Sequence, residues 1–277
     1  MRGPTTDWNG IWRTAQAAHR EAEDPKTWDK RAGDFKRVAE SSDYSDQFLE
    51  IMRPEADWSV LDMGCAVGTL ALPLARVVRR VTAADPSVRM RELLQERCAD
   101  EGVSNVRVVD GDWLSSWDTP ELGPHDVVVG SRSLIVEDLR SALLKAHRYA
   151  RKKVFVSTMV GDGPHDRALI EAAGRKLNPR ADYVVVVNLL RELGIYASVR
   201  FILLERKSRY PDLDAAVKDV RWMLRDMTPD EEARLRAYFA DTLVPCDGGL
   251  CRPVPPPVRW AVIYWDTRTD CDAALKR

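Results

Sequence analysis

Two hydrophobic periods alternate along the middle of the chain. Short continuous apolar runs occur at 59–63, 80–84, 106–109, 126–130 and 154–158. Between them, apolar residues recur three or four positions apart: Leu70, Leu74, Val77 and Val78; Met90, Leu93, Leu94 and Cys98; Leu139, Leu143 and Ala146. Runs that are apolar at every position predict strands covered on both faces, and the spaced sets predict amphipathic helices. Strand and helix in strict alternation predict a parallel sheet with helices on both sides. A sixth strand is expected over 199–205 and a last one over 260–265, an antiparallel edge partner of the sixth. Four consecutive valines at 184–187 look strand-like, yet Tyr183, Val186, Val187, Leu190 and Leu193 keep helical spacing up to Gly194. That spacing, closed by a glycine suited to a helix C-terminus, predicts a helix.

The flanks read differently. Residues 1–54 carry no strand pattern but hold three helical stripes: Trp8, Ile11, Trp12 and Ala15; Trp28, Ala32, Phe35 and Ala39; Tyr44, Phe48, Ile51 and Met52. Asp24-Pro25 can open the second helix and Pro54 closes the third. In 208–257, Leu213, Val217, Val220 and Leu224 share one helical face. Thr228-Pro229-Asp230-Glu231 is a capping box for a helix carrying Leu235, Tyr238 and Phe239. Asp247-Gly248-Gly249 and the prolines after it predict a stiff loop. The expected organisation is an N-terminal helical cap (1–54), a core (55–207), a helical insertion (208–257), and the core's final strand and tail (258–277).

Candidate chemistry gathers at the strand ends. The first strand runs into Asp62-Met63-Gly64-Cys65-Ala66-Val67-Gly68 and a helix. Small residues there let a ligand approach the backbone, and the helix start offers unpaired N–H groups. The second strand ends at Asp85, spaced so that its carboxylate can accept from ribose hydroxyls. The dinucleotide fingerprint G-x-G-x-x-G fits poorly, because Ala66 and Thr69 fall at its second and third small positions. The stretch instead resembles the first motif of class I S-adenosylmethionine-dependent methyltransferases, an acid followed by G-x-G-x-G. Asp62, Gly64 and Gly68 match it, and Ala66 replaces the middle glycine.

The resemblance covers about residues 55–160. It implies an α/β, Rossmann-like, doubly wound fold whose seven-stranded sheet is mostly parallel with a final reversed hairpin, and S-adenosylmethionine as cofactor. It also implies that Asp85 binds the ribose diol with Pro86 beside the adenine. Asp112 would bond the adenine amino group, and Trp113 would pack on the ring. Ser131, after the fourth strand, completes the expected cofactor set of Asp62, Gly64, Ala66, Gly68, Asp85, Pro86, Asp112 and Trp113.

A sulfonium already makes its methyl group electrophilic, so the protein must mainly hold a nucleophile in line and, where needed, take its proton. His165, after the fifth strand, and His19, in the N-terminal helices, are candidate bases. Trp28, Phe35, Tyr44, Trp222 and Tyr238 would give an apolar acceptor pocket. Ser131-Arg132-Ser133 stands where nucleic-acid amino methyltransferases carry an Asn/Asp-Pro-Pro-aromatic motif, so that acceptor class is disfavoured. A net charge of −1 with no long basic run makes nucleic acid an unlikely partner. No apolar run is long enough to span a membrane, and five irregularly spaced cysteines suit the cytoplasm. Cys246 and Cys251, a C-x₄-C pair with no second pair, fall short of a zinc set and read as unrelated thiols, so no metal is expected. The expected protein is a cytoplasmic methyltransferase for a small-molecule acceptor. The alternatives are a methyltransferase for RNA or protein, or an inert S-adenosylmethionine-binding partner subunit. Neither the acceptor atom nor the oligomeric state is written in the pattern.

Overall fold

A computed structural model describes residues 6–17, 29, 43–178, 180–253 and 255–275. His19, Trp28 and Phe35 lie outside these described residues. Contacts divide the chain into two compact units, Met1–Val160 with Ala181–Ile202 and Trp260–Arg277, and Gly161–Arg180 with Leu203–Arg259.

The first unit opens with α1 (Trp8–Ala17) and α2 (Tyr44–Met52). Its central run is β1 (Ser59–Met63), α3 (Ala71–Ala75), β2 (Arg80–Ala84), α4 (Val88–Asp100), β3 (Val106–Val109), β4 (His125–Ser131), α5 (Leu139–Tyr149) and β5 (Ala150–Met159). The second unit begins with α6 (Arg167–Ala172), and α7 (Tyr183–Glu192) and β6 (Ser198–Leu204) follow it along the chain. Next come β7 (Arg209–Tyr210), α8 (Leu213–Val220), α9 (Pro229–Thr242), β8 (Val244–Cys246) and β9 (Gly249–Cys251), and last β10 (Val258–Asp266).

The seven-stranded sheet has the order β3-β2-β1-β4-β5-β10-β6. β1 pairs in parallel with β2 and with β4, β2 with β3, and β4 with β5. The chain moves outward from β1 on one side and then restarts at β4 on the other. A crevice therefore opens beyond the carboxyl ends of β1 and β4, the usual ligand position in such sheets. All five residues of β1 are buried, as a central strand demands.

Two expectations change here. The last strand does neighbour the sixth but is not at the edge: β10 lies between β5 and β6, antiparallel to β5, with Trp260 opposite Met159 and Asp266 opposite Lys153. Burial explains the order. Trp260, Ala261, Val262, Ile263 and Trp265 are all buried, whereas β6 exposes Ser198, Arg200 and half of Phe201. A strand apolar on both faces belongs inside the sheet, and one with charges belongs at its edge. The helix after the first turn is also short, ending at Ala75; Leu70, Leu74 and Val78 are buried but Val77 is 43% exposed. The valine run is helical as expected, with the Asp182 carboxylate accepting from the Val184 N–H at 3.0 Å.

α1 is bound into the core of its unit. Trp12 is fully buried, shares a cluster with Val185, Val186 and Leu189, and donates its indole N–H to the Val136 carbonyl at 2.7 Å. Asn9 bridges the Asp138 carboxylate and the Arg140 N–H, each at 3.0 Å. Trp12→Phe keeps the ring but strands that buried carbonyl. It is expected to cost about 1–2 kcal/mol of stability in denaturant titration, where an unchanged midpoint would deny the bond its role.

The second unit has its own core of Leu169, Ile170, Val217, Leu224, Leu235 and Phe239, and a three-stranded antiparallel sheet β7-β9-β8. The expected capping box forms: Thr228 Oγ1 accepts from the Glu231 N–H, and the Glu231 carboxylate accepts from the Thr228 N–H. The stiff loop is the β8–β9 hairpin, and its cysteines are not unrelated thiols. Gly248 and Gly249, at φ +80° and +144°, turn the chain back and bring Cys246 and Cys251 to a Cα separation of 5.7 Å, where they form a disulfide. Among the described residues no helix is long and apolar enough to cross a membrane.

Candidate active site

A cavity of about 610 Å³ opens at the crevice beyond β1 and β4, lined by residues of the first unit alone. All of the expected cofactor residues except Gly68 line it.

The turn after β1 is tightly braced. The Gly64 and Cys65 N–H groups both donate to the Ala84 carbonyl, at 2.8 and 3.0 Å. Gly64 has φ +75°, and a Cβ there would stand 2.3 Å from the Ser133 Cβ. Ser133 donates to the Met63 carbonyl at 2.6 Å, so the loop after β4 presses on the turn and leaves no room for a side chain. Gly68, at φ +88°, also meets a packing need. A Cβ there would stand 2.4 Å from the Leu94 Cδ1, so its lack of a side chain lets α4 approach the turn.

Asp85 closes the arrangement. Its Oδ2 accepts from the Ala66 N–H at 2.8 Å and its Oδ1 from the Ser87 N–H at 2.9 Å. The carboxylate thus latches the end of β2 to the turn after β1. Burial raises its pKa, against the pull of the two N–H donors. Each oxygen keeps a further lone pair, so latching the turn is compatible with binding a hydroxyl from the cavity.

The latch holds Ala66 at φ +47°, a left-handed conformation that costs a non-glycine residue roughly 1 kcal/mol. Ala66→Gly, which restores the full glycine motif, is expected to stabilise the protein by up to about 0.5 kcal/mol after its greater unfolded-state entropy is counted. Thermal melts without ligand check this, and a lower melting temperature would contradict it.

Asp62 is 1% exposed, and its Oδ2 has no hydrogen-bond partner among the described residues. Burial first, and then the charge of Asp85, raises its pKa to about 7. A lone buried acceptor on a cavity wall is costly unless a ligand donor meets it.

At the other end, Asp112 Oδ1 accepts from the Leu114 and Ser115 N–H groups at 2.8 and 2.5 Å. Lys145 on α5 ties the same loop down, donating to the carbonyls of Trp113 and Ser115 at 2.7 and 2.8 Å. Trp113 is only 6% exposed. It packs against Trp117, and a Cβ on Gly130 would lie 2.5 Å from its Cζ2, so part of the indole is given to the core. Leu114, 74% exposed on the cavity wall, adds an apolar surface that the sequence pattern did not single out.

Four of the candidate base and acceptor residues are among the described ones. His165, Trp222 and Tyr238 belong to the second unit, where the His165 ring lies 5.6 Å from Trp222. His125 bonds Thr82 and the Gly123 carbonyl, and His147 lies between the Trp265 indole and the Leu275 carbonyl. Both are packing histidines. Tyr44 is fully buried behind the wall rather than on it, because its stripe with Phe48 and Met52 is the inward face of α2. Its hydroxyl meets Ser131 Oγ at 2.8 Å and Ser157 Oγ at 2.6 Å.

Residues 60–153 match a family model described as a methyltransferase domain. The chain is 30% identical over 251 residues to an uncharacterized protein of Haemophilus influenzae, spanning 87% of this chain and 89% of that one. Residues 60–153 are a class I S-adenosylmethionine-dependent methyltransferase domain. A partial likeness runs to the 23S rRNA (uracil(1939)-C(5))-methyltransferase RlmD of Pseudomonas fluorescens, 38% identical over 93 residues, or 31% of this chain and 21% of that one. The fold is also that of the YcgJ protein from Bacillus subtilis, with a TM-score of 0.55 at 15% identity over 80% of this chain and 97% of that one.

The family's cofactor is S-adenosylmethionine, and the residues present fit it. It carries a sulfonium and an ammonium against one carboxylate, hence a net positive charge. The described cavity wall holds Asp62, Asp85, Asp112, Glu137 and Asp138 against Arg13 and Arg132. The orphaned oxygen of Asp62 suits an ammonium donor.

Proposed function

We propose that this methyltransferase acts on a small molecule. The observation that carries the reading is the cavity, a concave site of about 610 Å³ whose lining includes the apolar Leu114, Ile135 and Val136. That size and lining suit a small-molecule site. The likeness to the rRNA enzyme covers 21% of that protein, too little to carry its acceptor over to this chain. A net charge of −1 makes nucleic acid a poor partner.

In this reading Asp62 accepts from the cofactor's ammonium, and Asp85 accepts from its ribose while holding the turn. Asp112 reads the adenine edge, and Trp113, Pro86 and Leu114 pack on the ring. The bound cofactor supplies a methyl group already activated by its sulfonium. The chain contributes orientation and a partly dry wall around the acceptor.

The test is purified protein incubated with methyl-labelled S-adenosylmethionine and a fractionated cell extract. Label is expected in a low-mass product. Label confined to RNA or protein would replace the small-molecule reading with a macromolecular one, and absence of transfer would point to a partner subunit.

A further inference from the structure

Arg132 is the first residue beyond β4, and its backbone is left-handed at φ +54°. Such a conformation costs a non-glycine residue about 1–2 kcal/mol and persists only where neighbours enforce it. Here β5 enforces it: the Arg132 N–H donates to both Ser157 Oγ and the Ser157 carbonyl, at 3.0 and 3.1 Å. The result is an arginine on the cavity wall with a fixed direction.

Its guanidinium lies 4.0 Å from the Tyr44 ring centroid and 5.5 Å from that of Trp260. Both platforms are rigid. Tyr44 is buried with its hydroxyl held by two serines, and Trp260 is paired in β10 opposite Met159. Aromatic faces hold the cation through its π surface and leave its N–H edge available for planar, bidentate recognition of an oxyanion. Among the described residues Arg132 has no salt bridge to a carboxylate, although acids are common on this wall. Trp260 also shows on which side the cation stands. It lies beyond β5, whereas Gly64, Asp85 and Asp112 follow β1, β2 and β3 on the opposite side of β4.

We propose that Arg132 is a specificity-determining residue that binds an anionic group, carboxylate or phosphate, on the methyl acceptor. The inference rests on the small-molecule reading above and narrows it to anionic acceptors. A rival source of the same chemistry is the cofactor's own carboxylate, which a binding measurement separates.

The test compares wild type, Arg132→Met and Arg132→Lys, with circular dichroism first. Labelled low-mass product from extract is passed over an anion exchanger at pH 8, and S-adenosylhomocysteine affinity is measured by calorimetry. The expected product is retained on the exchanger. Arg132→Met should lower its formation at least about tenfold while S-adenosylhomocysteine affinity stays within about threefold, and Arg132→Lys should fall between. A neutral or cationic product overturns the proposal, as does a methionine variant with wild-type transfer. A tenfold loss of S-adenosylhomocysteine affinity would assign Arg132 to the cofactor instead. Label only in RNA or protein, or none at all, removes the small-molecule reading and this proposal with it.

Discussion

Asp62→Asn is expected to weaken S-adenosylhomocysteine binding at pH 8 by about 30–300-fold, because a buried charge-assisted bond to the ammonium is replaced by a neutral one. A pH signature separates this from a general loss of fit. In the cofactor-free protein burial and Asp85 hold the Asp62 pKa at about 7, well above its ordinary value. Binding an ammonium needs the ionised form, so wild-type affinity should fall roughly tenfold for each pH unit below 7, and the variant should lose that slope. Stability moves the other way. A raised folded-state pKa means that the folded protein binds the proton more tightly than the unfolded chain from the ordinary carboxylate value of 3.8 up to about 7. Unfolding free energy therefore declines as pH rises through that window and is least above it. At pH 8 without ligand, Asp62→Asn should melt roughly 2–4 °C higher than wild type, and saturating S-adenosylhomocysteine should reverse the order. Wild-type affinity that is flat between pH 6 and 8 would show that Asp62 does not meet the ammonium.

Asp85→Ala is expected to combine two losses. The Ala66 and Ser87 N–H groups lose their shared acceptor, and the left-handed Ala66 loses its anchor. Bonds to a charged acceptor contribute about 1.5–3 kcal/mol each, offset in part because a buried charge is also removed. A net destabilisation of about 1–3 kcal/mol is expected in urea. Binding should fall further, by about 100-fold or more, since the turn loosens and the ribose loses an acceptor. The two contributions separate in a cycle that uses an S-adenosylhomocysteine analogue lacking its ribose hydroxyls. Wild type should discriminate strongly against the analogue, and Asp85→Ala should barely discriminate at all. Equal discrimination in both proteins would leave Asp85 as a latch only.

The elements that could be read from sequence are those whose pattern is local. The ranges 59–63 and 80–84 coincide with β1 and β2, because central parallel strands are apolar at nearly every position and end at sharp turns, and 106–109 coincides with the edge strand β3. The α9 capping box and the helix through the valines follow from side chains that bond their own backbone. The order of strands at the β10 end was not legible, since it depends on which of two strands tolerates solvent. Nor was the latching of the turn by Asp85. Its spacing from the first motif marks an acid at a strand end, but the two N–H groups it accepts from become visible only when β1 and β2 lie side by side. Arg132 carries no sequence signal, because Tyr44, Ser157 and Trp260 reach it from separate parts of the chain. Gly68 fitted a ligand motif while meeting a packing need at Leu94, which a pattern of small residues cannot tell apart.

The most direct measurement is a calorimetric titration of the purified chain at pH 8 with S-adenosylhomocysteine and, separately, with NAD. S-adenosylhomocysteine should bind one to one with a dissociation constant of roughly 1 μM–1 mM, the usual range for enzyme substrates, and NAD should give no binding heat. Saturable binding of NAD with no response to S-adenosylhomocysteine would contradict the assignment of the strand-end cavity to a sulfonium nucleoside.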